Sequence, residues 1–491
     1  MPAYFNVCPY PGCGELKVAD LAECVILVSM RMKAGKKKSN ANKRSKRKGA
    51  FKGPLPVFLL TLFLVLSAGI LILLIAKTLA IAGAGEEKSA KGDALAPKEE
   101  GKGPFGENTL GEGKPWEDFL WESIPKGGDE IKETMAGAVG GPEEDLPNTR
   151  YGEVLADEAY MKENRIVPWQ AKDKEEVTLG FTGDILLDDA YAVMVAFLSR
   201  GGAIEEGISG ELLERMRNID IMAINNEFPY TNRGTPTEGK AFTFRADTNM
   251  VSYLHDMGAD VAVIANNHTY DFGEIGLLDT LDTLEAAGIF GIGAGRNIKE
   301  ASAPLYFIVN DIKIALVAAT QIERLENPDT KGATENSPGV FRCLNPGKLY
   351  ETVKTAKENS DFVIVCVHWG TENQAQADWA QLDQAPGLAN AGADLIIGDH
   401  PHCLQGITYY GDTPVIYSLG NFWFSSKTLD TGMVQVTVDK DGLKSLQFIP
   451  AIQSGCRVDM AHGEEKERIL AYMRELSPGV VIDGDGFVGK Q

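Results

Sequence analysis

Four of the six histidines in this 491-residue chain stand at the ends of short apolar runs. Asn267 and His268 follow VAVIAN, His368 closes FVIVCV, and His400 and His402 follow LIIGD. Asp184 after VTLGFTG and Glu227 after IMAINN occupy matching positions. Imidazole nitrogen combined with carboxylate and amide oxygen is a donor set for zinc, manganese or iron. The absence of a cysteine cluster beside them disfavours a structural zinc site, and the histidines disfavour an all-oxygen cage for calcium or magnesium. Seven such residues exceed the needs of one tetrahedral ion and suit two ions sharing a site. The chemistry of such a site is hydrolysis or group transfer at a polarised oxygen. If residues 400–402 are extended, the HPH spacing puts both rings on one side, so that each serves one of two adjacent ions. His255, on a helical face, and His462, in a charged segment, read as surface or cap residues.

These residues need elements to hold them. VTLGF, IDIMAI, DVAVIA, IALVAA, FVIVCV, DLIIGD and PVIYSL are apolar on both faces, as strands covered by helices on each side would be. Between them, residues 249–257, 277–287, 348–359 and 375–391 have helical length, and Gly258, Gly288 and Gly392 are placed as helix stops. The alternation predicts an α/β domain with a layered β-sheet core flanked by helices, beginning near Val177. In open α/β sheets, ligands bind where strands end at their carboxyl side, which is where the metal-type residues fall.

Charge divides the chain. Through Gly53 there are 12 Lys and Arg against 3 Asp and Glu; the remainder holds 36 against 66, a balance of −30. A body that acidic is unsuited to nucleic acid. Residues 55–76 form a 22-residue run without a charge, long enough as a helix to cross a bilayer. Eleven basic residues and no acid between positions 31 and 52 place the amino-terminal flank in the cytoplasm by the positive-inside rule. A cleaved signal peptide is the competing reading, given Ala80-Ile81-Ala82, but the run exceeds the usual signal core and the segment before it is long. Beyond it the composition turns to Gly, Glu, Lys and Pro, which reads as a tether. The expected organisation is therefore a cytoplasmic basic segment (1–53), one transmembrane helix (54–82), a flexible extracytoplasmic linker (83–174) and a catalytic or binding domain (175–491). Cys8 and Cys13 make half a metal knuckle without a second pair. Cys366 reads as core, and Cys343, Cys403 and Cys456 leave disulfide pairing open.

The segments FTGDILL, INNEFP, ANNHTYDFG, VHWGTE, GDHPH and YSLGNF, taken in order, resemble the CapA family of poly-γ-glutamate capsule synthesis proteins. That family is a branch of the calcineurin-like metallophosphoesterase superfamily, and the resemblance covers about half the chain. It implies a metallophosphoesterase-like fold, and it carries the family's site roles over only where residues match. Asp184 resembles the first-strand ligand, Glu227 the bridging acid, and Asn267, His368, His400 and His402 the remaining ligands. His268 matches the histidine assigned as general acid or transition-state stabiliser. Leu186 departs from the superfamily's Asp-x-His pattern and leaves one metal position a ligand short.

Among the other residues, Gly183 and Gly398 are expected at close backbone approaches and Gly420 in a tight turn. Asp271 and Glu372 are candidates to orient histidines or to cap surface turns, and Asp188 and Asp189 read as helix N-terminal residues. Arg245 in FTFRAD is the basic residue expected near an anionic substrate. The resemblance implies a membrane-anchored, extracytoplasmic metal-dependent hydrolase or transferase in capsule or envelope polymer synthesis, working with other membrane subunits on an anionic polymer. Two other readings are a phosphoesterase acting on an extracellular nucleotide or lipid phosphate, and a non-catalytic scaffold of a synthesis complex.

Overall fold

The structure, a computed structural model, describes residues 149–322 and 330–491. The basic segment, the apolar run, Cys8, Cys13 and most of the expected linker lie outside the described residues. Among the described residues no helix is long and apolar enough to cross a membrane.

Two β-sheets stack face to face. One has seven strands in the order Ile166–Pro168, Leu305–Val309, Ile312–Thr320, Phe362–His368, Leu395–Asp399, Thr413–Ile416 and Ile407–Tyr410. The other runs Arg457–Met460, Gly442–Ser454, Leu429–Asp439, Val177–Ile185, Ile221–Asn226, Val261–Val263 and Phe290–Ile292, with Asn421–Trp423 also paired to Val177–Ile185. The strands that carry the metal-type residues are parallel within each sheet.

The period of two decides which side chains meet. In the strand Ile312–Thr320, Ile312, Ile314, Leu316 and Ala318 enter the core between the sheets, while Ala315, Val317 and Ala319 face outward. Phe362, Ile364 and Cys366 alternate with Val363, Val365 and Val367 in the same way. From the other sheet, Leu179, Phe181, Ile221, Ala223, Val261 and Val263 fill the inter-sheet core. Its outer face is covered by Phe197, Leu212, Met216, Leu254, Leu277 and Leu284 from four helices. The helices Gly347–Glu358 and Trp379–Ala391 cover the outer face of the seven-stranded sheet.

The α/β domain with flanking helices is present, but each doubly apolar strand has a sheet on one side and helices on the other, rather than helices on both. An apolar residue is buried equally well by either layer, so the pattern in a single strand does not distinguish them. Gly258 and Gly392 close their helices in left-handed backbone, with φ of 76° and 114°.

The expected linker ends earlier than residue 174. The helices Gly152–Ala156 and Glu158–Glu163 and the strand Ile166–Pro168 belong to the folded unit, the strand pairing in parallel with Leu305–Val309. Trp169 packs edge-on against Phe307 at 5.3 Å, and Tyr151 donates a hydrogen bond to Asp361 at 2.7 Å. These partners lie more than a hundred residues away in the chain, so local composition does not announce the contacts. Among the described residues, Cys366, Cys403 and Cys456 are free thiols, so the pairing left open for Cys403 and Cys456 does not form.

Candidate metal centre

Because the strands that carry these residues run parallel within each sheet, their carboxyl ends deliver polar residues to one end of the sandwich. Asp184 lies in the last turn of pleat of Val177–Ile185, Glu227 follows Ile221–Asn226, and His368 ends its own strand. Asn267 and His268 sit in the loop after Val261–Val263, and His400 and His402 follow Leu395–Asp399. The two sheets meet here: the backbone N–H of His400 donates to Asp184 Oδ1 at 3.3 Å.

The HPH segment is not extended. His400 and His402 adopt φ of 97° and 56°, left-handed backbone that is strained for a side chain-bearing residue. The rings nevertheless reach the cluster, from a turn rather than from one face of a strand, with centroids 5.8 Å apart.

Lone pairs converge on this end. His368 Nε2 carries at most one proton, yet it faces Asn267 Oδ1 at 2.8 Å, His400 Nδ1 at 3.1 Å and Glu227 Oε1 at 3.4 Å. His402 Nδ1 lies 2.9 Å from both Asp184 Oδ2 and Asn421 Oδ1. Asp184 Oδ1 accepts from Asn225 Nδ2 at 2.7 Å. Two groups of three residues, Glu227–His368–His400 and Asp184–Glu227–His402, each bring their ligand atoms within 4.8 Å of one another, and Glu227 belongs to both.

Glu227 decides whether cations fit. It is fully buried and neither of its carboxylate oxygens has a hydrogen-bond partner. An unpaired buried carboxylate is costly, and a cation on each side of it removes that cost. Burial, then the negative charge of Asp184 and Asp399, pushes the Glu227 carboxyl well above the usual range. Burial likewise drives His368 down to about 3 and His400 well below its ordinary value, so both are neutral and able to coordinate. His402 is raised despite burial because Asp184 accepts from it, and Asp184 is lowered against its own burial by the same partner. The donor set therefore suits divalent ions, with Asp184, Glu227, His368, His400 and His402 as the holding residues and Asn267 beside them.

Residues 178–426 match the family of bacterial capsule synthesis proteins designated PGA_cap, about half of the chain. The chain belongs to the PGA_cap family. The capsule biosynthesis protein CapA of Bacillus anthracis is 29% identical over 330 residues, covering 64% of this chain and 77% of that protein. The PGA biosynthesis protein CapA of Bacillus subtilis (strain 168) is 33% identical over 241 residues, covering 48% of this chain and 62% of that one. A probable polyglutamine synthesis accessory protein of Mycobacterium tuberculosis is 29% identical over 287 residues, or 55% of this chain and 76% of its own. A 5′-nucleotidase structure from Candida albicans SC5314 aligns with a TM-score of 0.31 and 9% identity, over 57% of this chain and 53% of that one; the likeness is too slight to carry an argument.

Several residues of this PGA_cap chain flank the cluster without entering it. His268 lies 3.9 Å from Glu227 Oε1 through Nε2, and its Nδ1 is 2.7 Å from Asp271 Oδ2. Its ring packs against Phe244, with centroids 4.3 Å apart, and burial lowers its proton affinity. Leu186 joins the apolar core beneath the helices and offers no donor. Asp188 accepts from the backbone N–H groups of Ala190 and Arg245 at 2.9 and 3.0 Å, a structural use. Asp189, Glu372, His255 and His462 are exposed.

Arg245 is not drawn into the cluster: it is exposed, with its guanidinium over the Phe272 ring at 4.7 Å. The buried cation of the site is Lys240, which donates to the Asn267 carbonyl and to Asp271 Oδ1. Sequence reasoning also passed over Asn225, Asp399 and Asn421. Asp399 is buried with Oδ1 unpartnered, and Asn421 is the register partner of Asp184. The last two stand inside the GDHPH and YSLGNF segments, which was the available signal.

Glycines bring the backbones close enough for this convergence. A Cβ on Gly183 would collide with the Gly420 carbonyl, which accepts from the Asp184 N–H at 2.9 Å; one on Gly398 would strike the Tyr417 carbonyl. Gly420 itself turns at φ 69°. Gly183→Ala is therefore expected to cost about 1–3 kcal/mol of stability by overpacking and to weaken metal binding through displacement of Asp184. Thermal unfolding together with metal content checks both effects; a variant equal to the parent in each would contradict this use of Gly183.

Proposed function

We propose that this chain is a membrane-anchored, extracytoplasmic, metal-dependent hydrolase or transferase acting in poly-γ-glutamate capsule synthesis. The observation that carries the metal-dependent part is Glu227, buried between two histidine-containing triads with both oxygens unpartnered. The capsule and polyglutamate terms in the names of its relatives support the pathway. Divalent ions held there, two of manganese, zinc or iron, would supply Lewis acidity toward a phosphoryl or acyl oxygen and a water of lowered pKa.

The chain's own residues do the rest. His268 holds or moves a proton at Nε2, with Nδ1 directed to Asp271. Asp184, Glu227, Asn267, His368, His400 and His402 fix the ions, and Arg245 on the exposed rim contacts an anionic polymer. The ions offset the acidity of the domain where the polymer would dock. The scaffold reading is favoured by one feature, Leu186 at a position where a further ligand would complete the set. A screen of phosphoester and γ-glutamyl compounds with the manganese-loaded full chain separates the two. Turnover that disappears with chelator supports the enzyme, and no turnover with a fully loaded site supports the scaffold.

Anchoring rests on residues 55–76 and the basic flank before them. Protease added to intact cells is expected to degrade the 175–491 domain and to leave the first fifty residues protected. Protection of the carboxyl-terminal domain in sealed cells would reverse the orientation.

A further inference from the structure

We propose that Lys240 is a positioning residue for His268, acting through Asp271. The inference rests on the reading of His268 as the group that moves a proton.

The segment 231–245 contains no helix or strand, yet it is tied to one residue from three directions. The Thr237 backbone N–H donates to the Asp271 carbonyl at 2.8 Å, the Phe244 N–H donates to Asp271 Oδ2 at 2.7 Å, and the Lys240 ammonium donates to Asp271 Oδ1. The same ammonium donates to the carbonyl of Asn267, the residue before His268. Asp271 is left with Oδ2 shared between Phe244 and His268 Nδ1, the latter at 2.7 Å.

The side chains of Lys240 and Asp271 are 4% and 0% exposed, so water does not substitute for either partner. A long, flexible ammonium side chain is seldom buried without a specific counter-charge, and the three rotatable donors of Lys240 allow it to hold a carboxylate and a carbonyl together. The result is a fixed carboxylate behind His268, with Phe244 packed on the ring from the same segment. Ring and carboxylate orientation are set together, and Nε2 is left facing Glu227. Lys240 touches no reacting atom. Its contribution is to prevent Asp271 from turning away and the 231–245 segment from lifting off the ring.

The test uses the full chain labelled with ¹⁵N-histidine and loaded with zinc; six histidines make the imidazole spectrum assignable by substitution. The parent is expected to show His268 protonated at Nδ1 with a slowly exchanging N–H. Lys240→Met should lose that slow exchange while zinc per chain is unchanged, and should hydrolyse bis(p-nitrophenyl) phosphate about 10- to 100-fold more slowly, in kcat rather than KM. Lys240→Arg should restore the N–H signature and most of the rate. If Lys240→Met does not fold, Lys240→Gln, which is polar but uncharged and one bond shorter, does not hold Asp271 Oδ1 and the Asn267 carbonyl together and should show the same loss. An unchanged His268 signature in the folded neutral variant overturns the proposal, as does failure of Lys240→Arg to restore it. If the parent hydrolyses nothing but the signature responds as expected, the catalytic reading fails while the positioning of His268 by Lys240 stands.

Discussion

Glu227→Gln is expected to abolish stabilisation by divalent metal and, in the same protein, to raise the stability of the metal-free form. The two effects have opposite signs because one carboxylate causes both. Without metal, Glu227 is a buried acid with no partner for either oxygen, and its proton affinity is raised by burial first and by Asp184 and Asp399 next. A carboxyl whose folded pKa lies above its unfolded value binds its proton more tightly when folded. The metal-free parent therefore loses stability as pH rises from the ordinary carboxylate range, about 4.3, toward the raised value. Glutamine has no such ionisation, so its advantage should grow across that window and level off above it. With free metal at 100 times its dissociation constant, the parent should gain about 2.7 kcal/mol for each site filled, and the variant should gain little. Unfolding monitored with chelator and with manganese, between pH 4 and 8, reads both signs. A metal-free variant less stable than the parent at neutral pH would show that Glu227 is satisfied in some other way.

His268→Ala is expected to keep most of its metal and lose roughly 10²-fold in turnover, the usual scale for a positioned acid–base group. The geometry separates it from its neighbour. Asn267 presents its side-chain oxygen 2.8 Å from His368 Nε2, within the donor cluster, whereas His268 stands 3.9 Å from Glu227 with its other nitrogen committed to Asp271. Asn267→Ala should accordingly lose metal affinity and rate together, and excess metal should recover part of both. Rescue of His268→Ala by added metal, with no rescue of Asn267→Ala, would exchange the two roles.

The donors of this site were legible in the sequence because their chemistry is unusual in type and regular in position: six histidines in all, four at strand ends. The strands were legible as short runs apolar on both faces, and helix ends through Gly258 and Gly392. What escaped depends on partners distant in sequence. The apolar faces of Ile312–Thr320 do not reveal that one is covered by a sheet. The left-handed turns at His400 and His402 arise where two sheets meet, not from a local signal such as glycine. Arg245 and Lys240 lie five residues apart in the same loop. Only the tertiary fold leaves one exposed over Phe272 and buries the other against Asp271. After the helices that follow Thr149, Ile166–Pro168 pairs with the strand Leu305–Val309, a contact that composition cannot encode.

The central claim is that one buried carboxylate joins two cation sites. Calorimetric titration of manganese into the metal-free full chain tests it most directly. Two ions per chain are expected for the parent, both lost or greatly weakened in Glu227→Gln, because that residue belongs to both triads. Absence of binding in the parent, or an unchanged stoichiometry in Glu227→Gln, would contradict the account.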